Sequence, residues 1–269
     1  MQATRRIQPT GPVAPVPPKE ATDFLGLPFQ AMPVPQAARY ISANALGGDG
    51  FWYVVTPNVD HMVRMTREPV LKPLYERSKL ILNDSRIIEL LASWDKLDLP
   101  ASPGADVVQR LFAKEIDPDE PVVVVGCTAS EITALKAKFG LSDVRWHDAP
   151  MGLRRNPEAI QRAADFMADN PARFHFLCVG SPQQEMIAQA ASEHGGVTGV
   201  GLCCGASIDF LTGKSRRAPE WMREMRLEWF YRLTNEPHRL TKRYLVDGPK
   251  IFRLWWADRK RRKARAAAV

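Results

Sequence analysis

Cysteine is scarce in this 269-residue chain, with Cys127, Cys178, Cys203 and Cys204 the only four. They form no C-x-x-C spacing and have no histidine at zinc-ligand distance, so no zinc site is coded locally. Three lie in or beside apolar runs and read as reduced thiols packing as small hydrophobes. Long apolar stretches are missing too: no window reaches the roughly 18 residues of a membrane span, and the N-terminus has no apolar signal core. A cytoplasmic protein, at most peripheral on a membrane, is the expectation. There is no G-x-G-x-x-G and no Walker lysine, hence no fingerprint for NAD or ATP, and no cofactor is expected. His61, His147, His175, His194 and His238 show no paired spacing and read as structural. No Ser/His/Asp set can be assembled from local signals, and no internal repeat is visible.

What is present is an uneven distribution of charge. From Lys214 to Val269 there are 17 Lys/Arg against 6 Asp/Glu, interleaved with Trp221, Trp229, Trp255 and Trp256. That segment carries +11 and the preceding 213 residues −4, within a whole-chain +7. Basic residues with aromatic anchors suit anionic phosphates or an acidic lipid surface. The run Arg259-Lys260-Arg261-Arg262-Lys263 beside Trp255-Trp256 is the clearest such element, with tryptophan favouring the membrane interface. Helix-turn-helix, RRM and OB signatures are missing, so nucleic acid is the weaker partner. On the residues alone, a non-catalytic α/β protein attached by this tail to membrane or nucleic acid stays open, as does a homo-oligomer.

Residues 1–22 hold five prolines and few apolar residues and read as a flexible leader. After it, apolar runs alternate with helical patterns. Strands are expected at Phe51–Val55, Leu80–Leu82, Val122–Val125, Val144–His147, Phe174–Val179 and Val197–Cys203. Helices are expected at Val59–Arg67, after Asp84 to Trp94, and at Ser130–Phe139, Pro157–Asp169 and Pro182–His194. Such alternation predicts parallel strands with right-handed helical crossovers: a Rossmann-like α/β core over 23–213, followed by a basic helical appendage over 214–269.

Open α/β sheets bind ligands beyond the carboxyl ends of their strands. Four segments are expected there: Thr56-Pro57-Asn58, Asn83-Asp84-Ser85-Arg86, Gly126-Cys127-Thr128, and Gly180 to Glu185. In the last, Ser181 suits an N-cap, Pro182 the first helical position and Gln184 a capping box. The segment is either a well-capped helix or a helix N-terminus that takes a phosphate or sugar. Gly126 can open a phosphate site in the same way. Asp84 closes an apolar strand and is either the N-cap of the next helix or an acid/base group. Asp117-Pro118-Asp119-Glu120 has the D-x-D spacing of a metal site but precedes a strand, at the wrong end, and reads as an acidic turn.

Taken together the chain resembles the WecG/TagA/CpsF family of bacterial glycosyltransferases over about residues 23–254. The resemblance rests on GSPQQE (180–185), GVGLCCGASIDFLTGKSRRAPEWM (199–222) and LEWFYRLTNEPHRLTKRYL (227–245). LGLPF (25–29), TPN (56–58), ND (83–84) and G-A-D (104–106) fit the earlier blocks. Two positions depart from the family pattern: Ser85 stands where glycine is common after the acidic residue, and LPASPG (99–104) lacks the arginine that often precedes the G-x-D block.

The resemblance implies inverting, metal-independent transfer from a UDP-sugar to an undecaprenyl-diphosphate-linked acceptor at the inner membrane face, in exopolysaccharide or cell-surface polysaccharide synthesis. It implies that Asp84 is the general base, that Thr56 and Asn58 line the substrate pocket, and that Gln184, in the block opened by Gly180, contacts substrate. The appendage would touch the membrane and supply arginines, the matched positions being Arg217, Arg232, Arg239 and Arg243.

Overall fold

Strand-forming runs dominated by apolar residues, without a polar alternation, must bury both faces, and four such strands are seen. Phe51–Val55 (β3), Val122–Val125 (β5), Phe174–Leu177 (β7) and Gly199–Cys203 (β8) are buried at every position. With Leu80–Ile81 (β4) and Val144–His147 (β6) they form a six-stranded parallel sheet in the order β4-β3-β8-β7-β5-β6. The computed structural model describes residues 20–46, 50–215 and 241–267, with 218–219, 222, 225 and 228–235 between them.

Alternate strand residues divide between two apolar layers, as a two-residue side-chain period requires. Tyr53, Val55, Val123, Val125, Leu177 and Cys203 enter one layer with α2 (Val59–Arg67), α7 (Pro157–Asp169) and α8 (Gln183–His194). Trp52, Val54, Val122, Val124, Phe176 and Leu202 enter the other with α1 (Val34–Asn44), α5 (Gly104–Lys114), α6 (Ala129–Phe139) and α9 (Ser207–Thr212). The Rossmann-like expectation therefore holds, with strands a residue or two shorter at β4, β7 and β8 than the apolar runs suggest. Two further helices, α3 (Lys72–Glu76) and α4 (Arg86–Trp94), flank β4.

A hairpin and two helices, α1 and α5, are additions to the sequence-based picture, whereas the C-terminal helix is expected within the basic appendage. A short antiparallel hairpin joins β1 (Thr22–Phe24) to β2 (Leu27–Phe29) before the sheet begins, its first residue being the last of the expected leader. α1 and α5 cover the second layer, with Ala37, Ala38 and Ile41 from one and Val107, Val108 and Leu111 from the other. The C-terminal helix, Lys250–Ala266, returns to the core and buries Ile251 in the first layer.

Candidate active site

The registers Ile81↔Val55, Val55↔Cys203, Cys203↔Leu177, Leu177↔Val125 and Val125↔His147 end all six strands in one level row. The segments starting at Thr56, Leu82, Gly126, Cys178 and Cys204 therefore leave the sheet at a common edge. β3 and β7 are two strands apart, roughly 10 Å.

Asp84 sits half-buried on that edge. Its Oδ1 accepts from the Gly104 peptide N–H at 3.0 Å and its Oδ2 from Asn58 Nδ2 at 3.4 Å. Its own N–H donates to Pro57 O at 3.1 Å, pinning the loop after β4 to the loop after β3. The N-cap reading of Asp84 is off by one residue: Ser85 Oγ accepts from the N–H groups of Ile87 and Ile88 and caps α4. Asp84 is thus spared that duty, and the departure at Ser85 has a local structural use. Beneath it, buried Asn83 accepts from Ser85 N at 2.9 Å and its carbonyl from Ser102 N at 2.7 Å.

Asn58 orients Asp84 because its own orientation is fixed. As N-cap of α2, its Oδ1 accepts from Asp60 N and His61 N, and its N–H donates to His61 Nδ1 at 3.1 Å. The amide is thereby turned with Nδ2 toward Asp84. Thr56 borders the same cluster: a Cβ at Gly104 would lie 2.7 Å from Thr56 Oγ1, so only glycine lets the start of α5 approach this closely. Sequence reading quoted Gly104 in the G-A-D block without a role; the contact that defines it spans 20 residues to Asp84.

The other two glycines differ. Gly126, with φ of +93°, would place a Cβ 2.8 Å from Val179 Cγ1, so it packs the loop after β5 against the loop after β7. Gly180 also has positive φ, +76°, with open space around it. The capping expected of the next residues is not what forms. Ser181 is held from the side: Arg64 donates to its carbonyl at 2.9 Å and to its Oγ at 2.8 Å, and Tyr75 Oη lies 2.9 Å from that Oγ. Pro182 is the N-cap of α8, without a side-chain cap bond. Gln184 turns instead to the loop after β8, its Oε1 accepting from Gly205 N at 2.8 Å while Nε2 donates to Glu185 at 2.9 Å.

A carboxylate pair, unforeseen in the sequence, lies on the same edge. Glu131, in the first turn of α6, is buried, caps Thr128 N at 2.8 Å and receives Lys214 Nζ at 2.9 Å. Burial opposes its charge, but hydrogen bonds from Asp209, Lys214 and Thr128 outweigh this and bring it down to about 2. Asp209, in the first turn of α9, is pushed up to about 7 by burial and by the hydrogen bond and charge of Glu131. The pair therefore holds one proton below about pH 7 and gives it up as pH rises through that value. Asp209's contribution to stability is complete below the ordinary carboxylate range and is lost as pH rises through about 7. Carbon-detected NMR should find the Asp209 carboxyl titrating near neutrality, and Glu131→Gln should move that midpoint down.

Cys127, Glu131 and Asp209 are the group among the described residues that could hold a metal, with donor atoms within 4.8 Å of one another. The fit is poor, since the Lys214 ammonium already neutralises Glu131. D-x-D at 117–119 is the acidic turn expected, with Asp119 N donating to Asp117 and Glu120 paired with Arg173 at 2.8 Å. All four cysteines are free thiols, with Cys178 and Cys204 Sγ atoms 3.5 Å apart.

Of the appendage arginines, Arg217 and Arg239 lie outside the described residues. Arg232 belongs to the helix Glu228–Asn235 and Arg243 to the π-helical turn Lys242–Asp247. The basic run of the C-terminal helix is largely engaged in ion pairs with the rest of the chain. Arg259 and Arg262 both reach Asp95, Arg262 and Arg261 reach Asp258, and Arg261 also reaches Asp23. Trp255 donates to Asp95 at 3.0 Å. Three charges of the run thus serve the fold, while Lys260, Lys263 and Trp256 stay exposed. Farther back, Asp247 pairs with Lys250 and with Arg67 at the end of α2.

The model of the Glycosyl transferase WecG/TagA/CpsF family matches residues 22–265.

Proposed function

The chain belongs to the WecG/TagA/CpsF family of glycosyl transferases, and on that footing we propose that it carries a sugar, with inversion and without a metal, from a UDP-sugar to a hydroxyl of an undecaprenyl-diphosphate-linked acceptor. The reaction would belong to exopolysaccharide or cell-surface polysaccharide assembly on the inner face of the membrane. The observation that carries this reading is the Asp84 carboxylate at the level edge of the sheet, oriented by Asn58 and by the Gly104 N–H.

In this reading Asp84 takes the proton of the acceptor hydroxyl as its oxygen bonds to the anomeric carbon. The bond to the UDP oxygen breaks, and UDP leaves with that electron pair. Inversion needs one base on the acceptor side, which a single carboxylate satisfies. Thr56 and Asn58 border the reacting sugar, and the loops at Gly126 and Gly180 face donor groups, with buried Gln184 behind them. Arg217, Arg232, Arg239 and Arg243 neutralise the leaving diphosphate, where preorganised positive charge has most effect.

A peripheral seat on an anionic membrane is part of the proposal. No described helix is long and apolar enough to cross a membrane, yet Phe230, Leu245, Val246, Phe252 and Trp256 are all about half exposed or more. Each lysine or arginine near anionic lipid adds about 1 kcal/mol. Replacing Phe252 and Trp256 together by serine should weaken sedimentation with phosphatidylglycerol vesicles about tenfold or more. Unchanged sedimentation would remove these side chains from the membrane contact.

The reaction itself is tested by presenting a panel of UDP-sugars with a short-chain polyprenyl-diphosphate-linked sugar and measuring UDP release. One donor should release UDP only when the acceptor is present. Silence across the panel would overturn the reading.

A further inference from the structure

Behind the Gly180–Gln184 loop lies a buried carboxyl group that the proposed reaction does not use. Glu185 is 1% exposed, in the first turn of α8. Its Oε1 accepts from Gln184 Nε2 at 2.9 Å, and its Oε2 is fully buried as well. The charged and titratable groups around it are Arg64 from α2, Tyr75 from α3, Tyr53 from β3 and Cys203 from β8. Burial holds its carboxyl above the ordinary range, against hydrogen bonds from Gln184 and Ser181 and the charge of Arg64.

The Gln184 amide has two ends, and both are committed. Nε2 goes to Glu185 and Oε1 to the Gly205 N–H, 21 residues away in the loop after β8. The Gly205 N–H can only donate, and while Glu185 Oε1 accepts it calls for the NH2 group on the other side, so turning the amide by 180° about its last torsion would break both bonds at once. On the other side of the loop, Arg64 and Tyr75 hold Ser181.

We propose that Glu185 is a positioning residue. Its buried carboxyl sets the orientation of the Gln184 amide, so that Gln184 locks the Gly205 peptide and the loops after β7 and β8 keep a fixed separation across the edge of the sheet. The arrangement acts through Gln184 and not by contact with substrate. Its consequence for donor binding rests on the function proposed above; its consequence for the amide does not.

Two variants separate the roles. Glu185→Met keeps the volume and removes the acceptor, while Glu185→Gln keeps an acceptor oxygen in place. In amide-detected NMR of the intact protein, with Gln184→Leu identifying the signals, the wild-type Gln184 side-chain NH2 should be protected from solvent exchange. Protection should fall at least about tenfold in Glu185→Met and return in Glu185→Gln, as expected when one buried hydrogen bond is lost and restored. Titration with UDP should follow the same order, weakening about tenfold and then recovering to within about threefold. An unprotected Gln184 amide in the wild type, or one indifferent to Glu185→Met, would overturn the proposal even if a variant folds poorly. Should the wild type fail to bind UDP at all, the proposed donor falls, and the amide exchange still decides the role of Glu185.

Discussion

Asp84→Asn should lower the turnover of sugar transfer by about 10²–10⁴-fold, the usual worth of a positioned general base, with little change in UDP affinity. The substitution is isosteric and leaves Ser85, which caps α4, untouched. Its oxygen can still accept from the Gly104 N–H, whereas the new NH2 group meets the Asn58 NH2 without an acceptor between them. The cost to folding should be about 1 kcal/mol, visible as a small shift in melting temperature. Comparing turnover with the donor dissociation constant isolates the chemical step: proton removal matters to the former alone. A variant that turns over within about threefold of the wild type would remove Asp84 from the reaction, since no base of ordinary strength is worth so little.

The second large effect is on stability. Arg262→Met removes the guanidinium shared by Asp95 and Asp258, two carboxylates whose side chains are 4% and 3% exposed. Breaking a buried pair from one side leaves charge without compensation and costs about 3–5 kcal/mol when the site is sealed. Here Arg259 still reaches Asp95 at 3.0 Å and Arg261 still reaches Asp258 at 2.6 Å, so about 3 kcal/mol is expected. For a chain of this size that is a fall in melting temperature of roughly 6–12 °C. Removing Asp95 as well, by Asp95→Asn in the Arg262→Met background, should recover part of the loss, because the stranded charge goes with it. Calorimetry of the single and double variants measures both. Equal melting points for wild type and Arg262→Met would mean that this arginine is a surface charge after all.

Local chemistry made the sheet legible. Runs such as VVVV at 122–125 and FWYVV at 51–55 can satisfy burial on two faces only in the middle of a parallel sheet, and the residue types at their ends mark the edge where loops emerge. Asp84 was legible for the same reason: a carboxylate directly after an apolar strand lands on that edge. Asn58, in the segment after β3, was legible with it; the role of Gly104 was not. Gly104 reaches Asp84 from the start of a helix whose apolar spacing, Val107, Val108 and Leu111, was present in the sequence but was not read as an element. Capping illustrates the limit well. Ser181 has the right side chain in the right place for an N-cap, yet Arg64, 117 residues earlier, claims its hydroxyl. The same limit governs the tail: composition reveals an excess of arginine, but only tertiary contacts show that Asp23, Asp95 and Asp258 take up three of those charges.

Helix α2 carries a consequence of its own. At one tip Asn58 steers Asp84, midway Arg64 grips Ser181, and at the far tip Arg67 meets Asp247. Nine residues of helix measure about 13.5 Å and behave as a stiff rod over that length. The acid at one strand end, the loop at another and the polypeptide leading into the final helix are therefore fastened to a single girder. Any substitution among Met62, Val63 and Met65 that tilts this girder disturbs all three attachments together, so damage here would mimic several distant lesions at once.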